Sequence, residues 1–151
     1  MNKIPVIAVV GPTASGKTSL SIEIAKRFGG QVVSADSMQI YEKMNIATAK
    51  PTEDEMQGIP HHLIGFQPIH KKFSVAEYVQ LANECIHKIH NAGDLPVIAG
   101  GTGLYIDSLL QNIQFSKEES NEEIRQELTA LFDEKGAEYM LEWLREIDPE
   151  T

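Results

Sequence analysis

Several large classes of protein are excluded by what this chain has little of. It holds one cysteine, Cys85, among 151 residues. No internal disulfide can form, and the usage agrees with a reducing compartment. Cys85 lies in an apolar helical stretch, where a buried small side chain is expected rather than a nucleophile. No apolar run approaches the roughly 20 residues that a membrane helix needs. The start, Met1-Asn2-Lys3-Ile4-Pro5, leads into a strand and not into a signal peptide. A soluble, cytoplasmic protein with no membrane partner is the expectation. There is no internal repeat, no low-complexity segment and no basic run of the kind that long duplex contacts require. The five histidines lack a second cysteine or a His-Glu-x-x-His beside them, and their spacings match no zinc pattern. His61 and His62 are expected instead to make hydrogen bonds that hold a covering loop.

The formal charge of −9 is unevenly spread. Residues 1–111 hold nine Lys or Arg against ten Asp or Glu, whereas residues 112–151 hold four against twelve. The acidity belongs to the tail, and a near-neutral core can still bind a polyanion locally. With 42% hydrophobic residues, the chain is long enough for one domain with a sizeable core.

The most informative stretch is residues 4–18. Ile4-Pro5-Val6-Ile7-Ala8-Val9-Val10 reads as a buried strand, and Gly11-Pro12-Thr13-Ala14-Ser15-Gly16-Lys17-Thr18 fits the phosphate-loop pattern. A loop that wraps a phosphate must aim several backbone N–H groups inward, and glycines permit the angles and the close approach this takes. The helix that follows adds the positive end of its dipole. Lys17 supplies a mobile charge, and the Thr18 hydroxyl is placed to ligate Mg²⁺. The loop alone does not say whether the phosphates belong to a nucleoside triphosphate or to another diphosphate.

Leu20, Ile24, Ala25 and Phe28 recur at helical spacing over Ser19–Phe28, and Gly29-Gly30 is a natural stop. Val32-Val33 reads as a short second strand ending at the polar cluster Ser34-Ala35-Asp36-Ser37-Met38-Gln39, where open parallel sheets place their ligands. Residues 40–60 are rich in turn signals and are expected to wrap over the site. Ser74-Val75-Ala76-Glu77 is a capping box that opens a helix running to Asn91 or Ala92. Leu95–Ala99 reads as a third strand ending in Gly100-Gly101-Thr102-Gly103, followed by a helix over Leu104–Gln111. Two strand–helix–strand passages imply right-handed crossovers and a parallel sheet flanked by helices. The composition shifts near residue 115. Beyond it, Ser120 and Glu123 form a second capping-box candidate, for a charged helix to Lys135 with Gly136 past its end, and Tyr139–Ile147 reads as one more helix. The division expected is a core over 1–114 and an acidic helical segment over 115–151.

The phosphate loop, the Asp36 cluster and the Thr102 loop therefore converge at strand ends. Many triphosphate hydrolases end a strand with an acidic residue that serves Mg²⁺ and water, and the third strand here ends in glycines and a threonine. That speaks against a motor or switch ATPase. Two group-transfer readings stay open: a small-molecule kinase using ATP with Asp36 as base, and an alkyl transferase that grips a diphosphate leaving group. A non-catalytic nucleotide-binding module is the third.

Six blocks in this order, Gly11–Thr18, Asp36–Tyr41, Ile46–Pro51, Pro60–Leu63, Phe73–Glu77 and Gly100–Ile106, closely resemble the tRNA dimethylallyltransferase family. The resemblance implies a P-loop NTPase-like α/β fold with the start of a helical insertion. The activity implied is transfer of a dimethylallyl group from dimethylallyl diphosphate to N6 of the adenosine just 3′ of the anticodon. Carried over by residue, Thr13 to Thr18 would hold the diphosphate, with Lys17 stabilising its charge and Thr18 on Mg²⁺. Asp36 would be the general base, Ser37, Met38 and Gln39 would help hold the flipped base, and Thr102 would lie beside the reacting atoms. Arg125 stands where the family has an arginine that contacts tRNA. The implied partners are the tRNA anticodon stem-loop and dimethylallyl diphosphate, and a monomer is expected for the full-length protein. Family members are about twice this length, so the chain resembles their amino-terminal half. The isolated segment is accordingly expected to be poorly stable or to associate.

Overall fold

The structure, a computed structural model, describes residues 3–45, 48–111, 113, 115 and 122–149. Ile46 and Ala47 of the third block, and Ser120 of the second capping box, lie outside the described residues. The chain forms two compact units, Met1–Gln114 and Phe115–Thr151.

The first unit carries β1 (Ile7–Val10), α1 (Lys17–Phe28), β2 (Gly30–Ser34), α2 (Glu53–Met56), β3 (His61–His62), α3 (Val75–Asn91), β4 (Leu95–Gly100) and α4 (Gly103–Leu110). The four strands form one parallel sheet in the order β1-β4-β2-β3. Strand alternation sorts the core into two layers. Val9, Val32 and Val97 on one face pack with Ala25 of α1. Val33 and Ile98 point the other way, where α3 packs on β2 and β4. Each such fully buried Val or Ile contributes about 1.5–3 kcal/mol relative to exposure.

Local chemistry sets the element ends. The C-cap Gly29 of α1 is left-handed, with φ 62°, a conformation glycine adopts without steric cost. Ser74 accepts from Glu77 N while the Glu77 carboxylate accepts from Ser74 N at 2.7 Å, so the expected capping box is present. Ser74→Ala is expected to cost about 1 kcal/mol, read as a lower denaturation midpoint with an unchanged slope.

Two elements differ from the sequence expectation. His61-His62, expected only to hold a covering loop by hydrogen bonds and assigned to no strand, forms β3 and pairs with Val32 and Val33 of β2. Within the covering segment, Glu53–Met56 is a short helix closed by its own capping box, in which Thr52 and Glu55 bond reciprocally.

In the second unit, α5 spans Glu122–Ile147 and is broken at Gly136, whose φ of 80° and ψ of 175° are not helical. This matches the expectation of two helices parted by that glycine. No helix among the described residues is long and apolar enough to cross a membrane.

Candidate diphosphate and acceptor site

β1 delivers the phosphate loop to the carboxyl end of the sheet. Within it Ser15 N donates to Pro12 O at 3.4 Å, and Ala14 (φ 64°) and Gly16 (φ 82°) are both left-handed. Such angles recur where backbone amides are turned toward a bound group. Gly16 is also the N-cap of α1 and forms no side-chain cap, leaving the first amides of that helix for a ligand. The Lys17 ammonium donates to the Pro12 carbonyl, which folds it over its own loop.

β2 and β4 run side by side past their formal ends. Ala35 N donates to Ala99 O at 2.8 Å, and Thr102 N donates to Ala35 O at 3.1 Å. The strands approach so closely that a Cβ on Gly100 would stand 2.1 Å from the Ala35 carbonyl oxygen. This contact brings the Asp36 cluster and the Thr102 loop together. Thr102 is the N-cap of α4, yet its hydroxyl does not cap that helix. It accepts from Ser37 N at 2.9 Å and donates to Ser37 Oγ at 3.3 Å, so Thr102 is tied to the Asp36 loop and not to its own helix.

Asp36 Oδ1 accepts from Met38 N at 2.9 Å and Gln39 N at 3.3 Å, fixing the turn after β2. Its other oxygen carries no hydrogen bond within the first unit's described residues. Gln39 donates its amide nitrogen to the Thr48 and Ala49 carbonyls, and Lys50 Nζ donates to Tyr41 O at 2.6 Å. These bonds fasten the covering segment. Beneath α4, Tyr105 stacks on the fully buried Tyr78 with centroids 4.1 Å apart, and burial pushes both phenols above their ordinary pKa.

One cavity of about 910 Å³ is lined by Pro12 through Thr18, by Asp36, Ser37, Met38 and Gln39, and by Gly100, Gly101 and Thr102. It thus gathers the predicted residues of the first unit, apart from Gly11, which adjoins it through Pro12. A Cβ built on Gly101 would lie 3.3 Å from the Gly11 carbonyl and 3.9 Å from Lys17 Nζ, so the third loop abuts the first. Arg125 belongs to the second unit. There, with Ile124, Leu128, Thr129 and Phe132, it lines a separate groove of about 390 Å³. Thr18 offers the hard oxygen that Mg²⁺ prefers. Among the described residues no three His, Cys, Asp or Glu converge on one point.

The two histidines of β3 differ. His62 Nε2 bonds Gln31 Oε1 at 2.7 Å, and Gln31 Nε2 donates to Asp94 Oδ2 at 2.7 Å. His61 Nδ1 bonds the Ile59 carbonyl at 2.8 Å. Burial lowers the pKa of both rings, helped at His62 by His61 and Lys88. Sequence reasoning assigned His61 no place at the site, although it lines the same cavity. Its proximity rests on the pairing of β3 with β2, which two residues cannot signal.

A phosphate loop, a carboxylate at the end of β2 and a hydroxyl-bearing loop at the end of β4, all on one cavity, define a phosphate-loop α/β domain. A sequence model of the IPP transferase family matches residues 39–151, and the chain belongs to that family. It is 51% identical over 148 residues to the tRNA dimethylallyltransferase of Caldanaerobacter subterraneus, covering 98% of this chain and 47% of that protein. The full-length tRNA isopentenylpyrophosphate transferase of Bacillus halodurans superposes with a TM-score of 0.75 at 43% identity, covering 98% of this chain and 49% of that one. A eukaryotic dimethylallyltransferase acting on tRNA gives a TM-score of 0.67 at 29% identity over 80% of this chain and 29% of its own. The chain spans about half the length of the curated relatives it matches.

Proposed function

We propose that this chain supplies the diphosphate and adenine site of an enzyme that moves a dimethylallyl group from dimethylallyl diphosphate to N6 of an adenosine beside the anticodon of tRNA. The observation that carries the reading is the shared cavity, which Asp36 and Thr102 line together with the phosphate loop. An exocyclic adenine amine is a poor nucleophile because its lone pair is delocalised into the ring. The allylic carbon must therefore be made strongly electrophilic, which neutralising the departing diphosphate achieves. The loop amides and Lys17 supply that neutralisation. As the C–N bond forms, the nitrogen becomes acidic, and the unengaged Asp36 oxygen collects its proton. Ser37, Met38 and Thr102 wall the place for a base that has left its stack. Gln39 contributes by holding the covering segment. Thr18 would hold Mg²⁺, which when bound supplies further positive charge to the diphosphate. Arg125 would contact the tRNA.

The names of the relatives favour this reading over the small-molecule kinase. The test supplies the complete protein with tRNA and either labelled dimethylallyl diphosphate or ATP. Label is expected in tRNA only from the prenyl donor. Phosphate transfer from ATP to a small hydroxyl acceptor, with no need for tRNA, would overturn the proposal.

A further inference from the structure

Lys71 and Lys72 have no part in the chemistry above, yet the topology puts them at the end of the sheet where it takes place. In a parallel sheet each connecting helix starts at the carboxyl end of one strand and runs back to the amino end of the next. α1 and α3 lead in this way into β2 and β4. Lys26 and Arg27 in the last turn of α1, and Lys88 in the last turn of α3, therefore lie at the amino end of the sheet, away from the cavity. The turn before α3 lies at the carboxyl end. Among the other cations there, Lys17 and Lys50 are held by the carbonyls of Pro12 and Tyr41, and Glu42 offsets its exposed neighbour Lys43. Lys71 and Lys72 are exposed and form no ion pair among the described residues. The nearest acid along α3, Glu77, is turned back onto Ser74 N and Oγ.

A chain of hydrogen bonds ties this turn to the acceptor side of the site. Asp36 Oδ1 accepts from Gln39 N, Gln39 O accepts from Gly65 N, and Ile40 O accepts from Phe66 N and Gln67 N, the last three at 2.9 Å. Gln67 Nε2 then donates to Lys72 O at 3.2 Å, and Lys71 N donates to Pro68 O at 3.0 Å. The rings of Phe66 and Phe73 close the turn edge to face, with centroids 5.5 Å apart. Two ammonium groups are thus carried on backbone that is already ordered, which lowers the entropy lost when they engage a ligand. The α1 side of the sheet carries the other sign. Gln57, the C-cap of α2, accepts from Lys26 of α1, and Ile59 packs on the cluster that holds Ala25, so the acids Glu53, Asp54 and Glu55 belong to that side. A polyanion approaching the cavity is repelled from one side and drawn to the other. Adjacent exposed lysines suit successive backbone phosphates, which fix position without reading sequence. We propose that the turn bearing Lys71 and Lys72 is a docking point for the sugar–phosphate backbone of the acceptor RNA, and that it holds the strand on the α3 side of the cavity mouth.

The inference rests on the reading that an RNA adenosine is the acceptor, and the experiment separates the two. Binding of an unmodified anticodon stem-loop RNA to the complete protein is measured by fluorescence anisotropy over a range of salt, beside steady-state prenyl transfer. Lys71→Ser/Lys72→Ser should weaken binding roughly 5- to 20-fold near 0.1 M salt and make the slope of log K against log salt shallower by about 1.4–1.8, the release expected for two phosphates. The KM for RNA should rise, while kcat and the KM for dimethylallyl diphosphate stay as they are. Lys71→Arg/Lys72→Arg should keep the slope of the unsubstituted protein. Arg27→Ser/Lys88→Ser removes the same charge from the opposite end of the sheet and should leave the slope unchanged. Failure of the unsubstituted protein to bind the RNA and to prenylate it would overturn the functional reading and this inference with it. Binding and transfer by the unsubstituted protein, with an unaltered slope in Lys71→Ser/Lys72→Ser or an equal loss in Arg27→Ser/Lys88→Ser, would overturn the inference alone.

Discussion

Asp36→Asn in the complete protein is expected to slow prenyl transfer to tRNA by about 10²- to 10⁴-fold, the usual worth of a positioned general base, with little change in stability. The two halves of that expectation come from the two oxygens of one carboxylate. Oδ1 receives the Met38 and Gln39 amides, and an asparagine carbonyl can receive both, so the turn after β2 survives. Oδ2 becomes an amide nitrogen, which has no lone pair available for the proton leaving N6. Asp36→Ala removes both functions, and should lose the turn bonds, about 1 kcal/mol, in addition to the rate. Single-turnover transfer of labelled prenyl donor, measured beside thermal unfolding, checks the pair. A transfer rate unaltered in Asp36→Asn would make residue 36 a turn former and nothing more.

The parts of this site that were legible in sequence are those written in consecutive residues. Gly11–Thr18 is such a part, and so is the Ser74–Glu77 box, because local hydrogen bonds need only local neighbours. Thr52-x-x-Glu55 carries the same signature inside a segment read as a loop, and it forms a helix of only four residues. Sheet order was not legible. Periodicity says that strands are parallel and crossed by helices, but not that β4 lies between β1 and β2. β3 is recognisable only through its partner, since two histidines have no alternation to read. Gly30 illustrates a conflict between levels. Gly29-Gly30 reads as a helix stop, yet Gly30 already belongs to β2, where a Cβ would meet the Leu95 carbonyl oxygen at 2.5 Å. The bond from Ser37 to Thr102 joins positions 65 residues apart, a distance at which no sequence pattern operates.

That same long-range seam carries the other large effect. Gly100→Ala should destabilise the protein by about 3 kcal/mol, at the upper end of what overpacking usually costs. The added methyl would sit 2.1 Å from Ala35 O, 2.4 Å from Ala35 C and 2.7 Å from Ala35 Cα. All three are backbone atoms between strands paired on both sides of the contact, so no side chain can swing aside. Relief requires β2 and β4 to part, which stretches the Thr102 N to Ala35 O bond and draws the Thr102 hydroxyl away from Ser37. Transfer activity should therefore fall further than the folded fraction does. Gly103→Ala is the matched control. It lies in the first turn of α4 with nothing within 4 Å of the new methyl, and alanine there should be neutral or more stable by up to about 1 kcal/mol. Denaturant midpoints for the two variants, with the transfer rate per folded molecule, give the comparison. Equal stabilities would mean that β2 and β4 do not approach at Gly100 as closely as the contact with Ala35 requires, and the joining of Asp36 to Thr102 would need another cause.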